Sequence, residues 1–515
     1  MSLKNRLARL MHREGVTPLP IKILVSLFFV VLFDMMTVTM VFSYLPNLVK
    51  SFGTSEVDTG LYAGIIASSL YVGRTLFSLI WGYIADAKGN KLVLICSTVL
   101  VMFSTLAFGF TNSFYWAVAT RFIQGVSSAL LVISKSVLAD NCDDTNMGSA
   151  ISILFSSGSI GYIIGPSLAG FLVFPLEQYP SVFKKNSIFE RFAILIPNLI
   201  LTICFAASII LIVIFVPQAR RNNDELSPLL QPPVKKYQPV KITDCQETEI
   251  KKQKKRDTDG NSGFRTWLLK FKTLKFVKVF SIRECVQVSF LYGIYSCAAI
   301  GGGELLPLFF ATAMEYNGMQ FSTSKIGLTF LMISATLLPS QFLLVPRAVE
   351  YFGSRKLFIG SNLLSAFLCP WLPMFVEMMP SSTGLWMVVV FIIVLQKVSV
   401  VCGFVAINVL INNTVTSEML GSANGLGMSF SSIGRSIGPA FIGSIYTWSL
   451  TNIKDISTNT NPIGFPFNQY FSFYVLSLFY IIIGAFGSII SPALEKKKTI
   501  QNCLNAEPSC STTKI

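Results

Sequence analysis

Residues 161–170 read GYIIGPSLAG, and residues 434–443 read GRSIGPAFIG. Both strings carry a glycine, a Gly-Pro pair and a further glycine at identical spacing: Gly161, Gly165, Pro166 and Gly170, then Gly434, Gly438, Pro439 and Gly443. A single G-x-x-x-G in an apolar run says little, because small residues pack membrane helices generally. The same string at corresponding places in two halves of one chain is an internal repeat, and the repeat decides the fold. A second pair agrees with it. Residues 82–91 read GYIADAKGNK and residues 350–355 read EYFGSR, so Asp86, Gly89 and Lys91 correspond to Glu350, Gly353 and Arg355. Gly82 opens the first of these strings. Gly89 supplies a tight turn between helices, and Asp86 is placed to meet the N-terminal end of a neighbouring helix and latch one face shut.

Outward from the repeats, apolar runs of spanning length recur along the chain. They are placed near 21–44, 60–84, 91–111, 114–138, 148–173, 192–216, 284–313, 326–346, 356–377, 384–411, 420–447 and 469–491. The chain is 52% hydrophobic and only 13% charged, with a mean hydropathy of +0.60, against roughly 25% charged residues in a soluble domain. The expectation is an all-α polytopic membrane protein of about twelve transmembrane helices in two pseudo-symmetric six-helix bundles. The domains expected are a cytoplasmic N-terminus (1–20), a first bundle (21–217), a basic, largely disordered cytoplasmic linker (218–283), a second bundle (284–491) and a cytoplasmic tail (492–515). Two matched halves imply alternating access about a site held between them near the midplane.

The net charge of +15 does not point to nucleic acid. Its basic residues gather at Lys4, Arg6, Arg9 and Arg13, between about 218 and 283, and at Lys496, Lys497 and Lys498. All are cytoplasmic if Lys and Arg stay inside, which makes anionic inner-leaflet lipid the expected partner. Residues 264–283 interleave Trp267, Leu268 and Phe271 with lysines, as either an interfacial helix or an extended lead-in would. His12 is the only histidine and the cysteines form no C-x-x-C pair, so no metal site is expected. No cofactor motif follows Gly301-Gly302-Gly303, which reads as a kink in its helix or, more sharply, as local unwinding. No nucleophile and base pair for an enzyme is evident. Glu225-Leu226-Ser227-Pro228-Leu229-Leu230 has the form of an acidic dileucine sorting signal, with Glu225, Leu229 and Leu230 as its elements and trafficking adaptors as its readers.

Ionisable residues inside spans mark function or a fixed pair, since each costs from about 2.5 kcal/mol upward at the bilayer centre. Asp34, Glu304 and Lys397 fall mid-span and Arg121 lies well inside the fourth run. Asp34 and Glu304 are either proton-coupling acids or fixed partners of Arg121 and Lys397. Lys135 either faces a cavity or snorkels. Arg74 and Arg435 either bind substrate anions or lock the packing between halves.

These residues resemble known signatures. Gly82 to Lys91 looks like the loop signature of the major facilitator superfamily, Arg121-x-x-x-Gly125 like its second motif, and the Gly-Pro string like its antiporter motif. Within that superfamily the chain resembles the zinc-induced facilitator-like proteins of plants and their fungal and protist relatives. The stretches that carry this are Thr17-Pro18-Leu19-Pro20, Val72-Gly73-Arg74 with Trp81-Gly82, Ile133-Ser134-Lys135, Tyr179-Pro180 through Phe183 to Phe189 and Phe192, and Gly421-Ser422-Ala423-Asn424-Gly425. The resemblance implies that Asp34, Glu304, Arg121 and Lys397 line one central cavity. It also implies a proton-coupled antiporter for an organic solute, metal chelate or xenobiotic. The chain lacks the cysteine-rich N-terminal motif and His-rich central loop of the plant members, which argues against free zinc. A monomer in a vacuolar or lysosomal-type membrane, or in the plasma membrane, is expected. A ligand sensor or scaffold signalling through the linker, and a facilitative uniporter, are the alternatives.

Overall fold

The computed structural model describes residues 17–143, 146–185, 187–218, 279–378, 383–416, 419–453 and 463–495. Glu225, Leu229 and Leu230, most of the linker, and the basic clusters at either terminus lie outside the described residues.

Among the described residues twelve long helical segments cross the molecule: α1 (Ile21–Ser43), α2 (Thr59–Lys88), α3 (Asn90–Gly109), α4 (Phe114–Asn141), α5 (Met147–Leu172), α6 (Leu195–Phe215), α7 (Arg283–Ala311), α8 (Thr323–Phe352), α9 (Ser354–Phe375), α10 (Thr383–Asn413), α11 (Leu420–Leu450) and α12 (Phe471–Ile489). Nine are individually long and apolar enough to span a bilayer. A tenth, α8, is bent by 49° between Gln341 and Leu343. Pro346 lies four residues beyond Phe342, where its ring removes a helical donor and crowds the carbonyl at the bend. The remaining two, α2 and α11, are diluted in hydropathy by glycine, serine and arginine, because they pack against each other rather than facing lipid on all sides.

The repeated glycine string explains the packing. Gly161 and Gly165 bring α5 against α1, where an added Cβ would meet Leu32 O and, at 2.9 Å, Met36 O. Gly434 and Gly438 do the same for α11 against α7, at Gly293 O and Cys297 O. The last glycine of each string serves the other half: Gly170 meets Gly327 of α8, and Gly443 meets Gly60 of α2. One motif thus closes its own bundle and one of the two seams between bundles. The triplet Gly301-Gly302-Gly303 has a similar use. No local unwinding occurs there: α7 is one continuous helix, and Gly301 and Gly302 let Ile442 and Leu476 approach.

The expected loops between α2 and α3 and between α8 and α9 shrink to single residues, Gly89 at φ +93° and Gly353 at φ +75°. Only glycine adopts that backbone without strain. Asp86 and Glu350 therefore sit in the last turns of α2 and α8 rather than in loops. Lys91 Nζ donates to Val213 O at 2.9 Å, and Arg355 Nη2 donates to Ser488 O at 2.6 Å. Each base caps the carboxyl end of its own half's last helix, where a cation meets the negative end of the dipole. The start of the tail is also ordered: Pro492–Glu495 forms a short helix whose Leu494 O accepts from Asn413 Nδ2.

Candidate functional site

The hydrogen bonds seen between the halves run from the end opposite the Gly89 and Gly353 turns to the middle. At this far end Lys50 Nζ lies 2.7 Å from Glu56 Oε1 and donates to Ala311 O at 2.6 Å, while Ala313 N–H donates to the same Glu56 oxygen at 2.8 Å. The segment after α1 is so tied to the end of α7. On the other seam Gln178 donates to Thr323 Oγ1 and accepts from Ser324 Oγ. Deeper in, Thr75 meets Ser436 at 3.2 Å and Gln341 donates to Ser159 at 2.9 Å. Nearer the turns, Tyr83, Phe155, Ile433 and Leu343 are exposed.

Inside this frame the charged side chains divide differently from the sequence expectation. Asp34 is buried and accepts from Ser128 Oγ at 2.6 Å, and it forms its ion pair with Arg74 at 3.2 Å, not with Arg121 or Lys397. Ser128 is available because α4 breaks between Phe114–Ser127 and Leu130–Asn141. Ser97 of α3 spans the break, donating to Ser127 O and accepting from Ala129 N–H. Ser128 is not among the residues anticipated from sequence; its signal is the mid-span Ser127-Ser128 pair, since serine competes with the helix for backbone bonds.

Arg121 is buried and bound chiefly to backbone. Its Nη1 donates to Thr37 O at 3.2 Å and to Gln124 Oε1 at 2.6 Å, its Nη2 donates to Val38 O at 3.3 Å, and its guanidinium lies 5.4 Å from the Phe108 ring centre. Thr37 and Val38 stand just before α1 tightens into the 3-10 turn Met40–Ser43, so Arg121 satisfies carbonyls at the place where the helix changes pitch.

Glu304 stands alone. It is 0% exposed, and neither carboxyl oxygen has a hydrogen-bond partner among the described residues. It lies one turn beyond Ile300, which packs against Val38, Leu70 and Tyr71 of the other half. The opposite charge within its electrostatic reach is Arg121. Pro307 also removes the helical donor to Gly303 O, and a Cβ at Gly303 would meet open space.

The remaining cations are spread. Lys397 is half-buried beside Cys369, away from both acids, because its turn of α10 faces α9. Lys135 lies over the Phe155 ring at 4.5 Å. Arg435 has the Phe404 ring at 5.9 Å and an unpartnered Nε, with Tyr71 and Tyr162 of the other half in its field. Asp34 and Glu304 thus gather about Tyr71 with three cations, Arg74, Arg121 and Arg435, while Lys135 and Lys397 stand apart. Of the predicted set, Asp34 and Arg74 are brought together, Glu304 and Arg121 are within reach of one another, and Lys397 is separate. The side chain of Asp86 lies outside the described residues, and a Cβ on Gly82 would meet nothing.

The sequence model of the Major Facilitator Superfamily matches residues 27–344. Similar proteins include ZINC INDUCED FACILITATOR-LIKE 1 of Arabidopsis thaliana, 28% identical with 83% of this chain and 84% of that protein covered. ZINC INDUCED FACILITATOR 1 of the same plant is 25% identical, covering 82% and 83%. Among solved structures, a D-xylose-proton symporter superposes with a TM-score of 0.62 at 14% identity, covering 93% of this chain and 99% of that one. A bacterial homolog of the human lysosomal transporter Spinster, inward-facing and occupied, superposes at 0.60 and 14%, covering 94% and 100%.

Proposed function

Because the chain belongs to the major facilitator superfamily and is a multi-pass membrane transporter, we propose that it works as a proton-coupled antiporter in which Glu304 carries the proton. The observation behind this reading is the contrast between the two acids. Asp34 is held by a guanidinium and a hydroxyl, whereas Glu304 is fully buried with no donor at either oxygen. An ionised carboxyl in that place costs several kcal/mol, and a proton or an incoming donor relieves it. Protonation of Glu304 is therefore tied to which side of the site is open.

The excess of cations over carboxylates around the midplane supports a solute with net negative charge, an organic anion or a chelate with free carboxylates. Arg435, unpaired and facing the other half, is the residue for it to meet. With the basic termini and linker on the cytoplasmic side, the far end closed by Lys50 and Glu56 faces outward or into a vacuolar or lysosomal-type lumen. Antiport against protons entering from that side, where it is the more acidic, then carries the cargo out of the cytoplasm.

The test is uptake in proteoliposomes with an imposed pH gradient, using a mixture of metabolites and metal ions to find the cargo. Glu304→Gln should abolish accumulation against a gradient while cargo exchange across the membrane persists. Gradient-driven accumulation that survives in Glu304→Gln would refute the assignment, and uptake that only equilibrates the cargo, whatever the pH gradient, would favour a uniporter.

A further inference from the structure

A groove of about 1150 Å³ opens sideways between α2 and α4 of one half and α11 of the other. Tyr115 and Trp448 stand at its far end, in the first turn of α4 and the last turn of α11, and Val72, Phe122 and Ile437 stand at its inner end. From Ile437 to Trp448 the helix rises ~16 Å, which matches one leaflet of a hydrocarbon core ~30 Å thick. Tyr115 and Trp448 are then at headgroup level, where amphipathic rings settle.

Below Tyr115 and Trp448 the lining suits an apolar occupant. Its serine hydroxyls are already engaged: Ser69 donates to Ile66 O, Ser436 to Ser432 O and Ser444 to Ala440 O, and Ser68 accepts from Ala440 N–H. What remains is apolar side chain facing the bilayer. We propose that this groove seats one acyl chain of a phospholipid of the far leaflet, with its headgroup beside Tyr115 and Trp448.

Its place gives the chain a role. Behind the groove runs the seam where Gly60 meets Gly443 and Gly64 meets Pro439, and this seam must part for the far end to open. A chain resting on both halves touches both only while they are together. It therefore favours the far-closed state, and opening releases it.

Native mass spectrometry of the full chain, extracted in mild detergent, counts the phospholipids retained. The wild type should retain one, and Ala119→Phe and Ser444→Phe, which fill the groove from opposite walls, should each cut its occupancy at least tenfold. Phe103→Leu, on the lipid-facing side of α3, should leave it unchanged. Quenching by phosphatidylcholine with brominated chains gives a readout that does not depend on the filled variants folding. The difference between wild type and Trp448→Phe isolates the signal of Trp448, and it should saturate at a low lipid-to-protein ratio. Retention unaltered in both filled variants, no retained phospholipid in the wild type, or Trp448 quenching that rises only in proportion to bulk lipid would each overturn the proposal.

Discussion

Replacing Glu56 with alanine should shift the molecule toward opening at its far end. The residue holds two partners at once: Lys50 in an ion pair at 2.7 Å, and the N–H of Ala313 at 2.8 Å. The pair is partly exposed, at 26% and 22% of its side-chain areas, and both partners belong to the first half, so it orients Glu56 without itself joining the halves. The hydrogen bond to a charged acceptor contributes about 1.5 kcal/mol. That bond crosses between the halves and favours closure by the same amount, a ~13-fold change in the ratio of closed to open populations. Lys50→Met should have a similar effect, since it removes the bond that crosses to Ala311 O. Glu56→Gln, which keeps an acceptor for Ala313, should fall between. Single-molecule energy transfer in proteoliposomes reads the ratio directly, with dyes on non-canonical residues at Val182 and Met314, both well exposed and in opposite halves. A ratio within threefold of wild type in both Glu56→Ala and Lys50→Met would show that these contacts do not hold the end shut.

Two further outcomes follow from the packing and the buried pair. Gly64→Val should lower stability by about 1–3 kcal/mol, read as a lower thermal midpoint, because even its Cβ would lie 3.0 Å from Ala440 Cα; Gly82→Ala, with nothing nearby, should leave the midpoint unchanged. Asp34→Asn should destabilise by about 3 kcal/mol, since it strands the Arg74 charge. Asp34→Asn combined with Arg74→Gln should recover most of that loss, and a double-mutant cycle of thermal midpoints showing simple additivity would contradict the pairing.

The legible part of the site was the residue types and the part that stayed hidden was their partners. A mid-span aspartate, glutamate or arginine is visible in a sequence because charge in hydrocarbon is rare. Whether Asp34 meets Arg74 or Arg121 depends on how α1, α2 and α4 rotate about their axes, and on a break in α4 that turns Ser128 inward. Lys397 shows the same limit: its depth was readable, but the face of α10 that carries it was not. Lys50 and Glu56 drew no notice because a charged pair in a short connection looks like ordinary surface until its neighbours from the other half are in place.

The sequence by itself determined the class, the number of long helices and the two-fold internal likeness, because length and apolar composition along one segment are local properties. It also fixed where glycine is compulsory, at Gly89 and Gly353, since a positive φ needs no neighbour to be demanding. Only the tertiary structure decided that one glycine string serves a bundle and a seam together, that Arg121 holds backbone carbonyls, and that Glu304 is left without a donor. Those outcomes depend on distances between helices far apart in the chain, which packing sets and no single stretch of residues encodes.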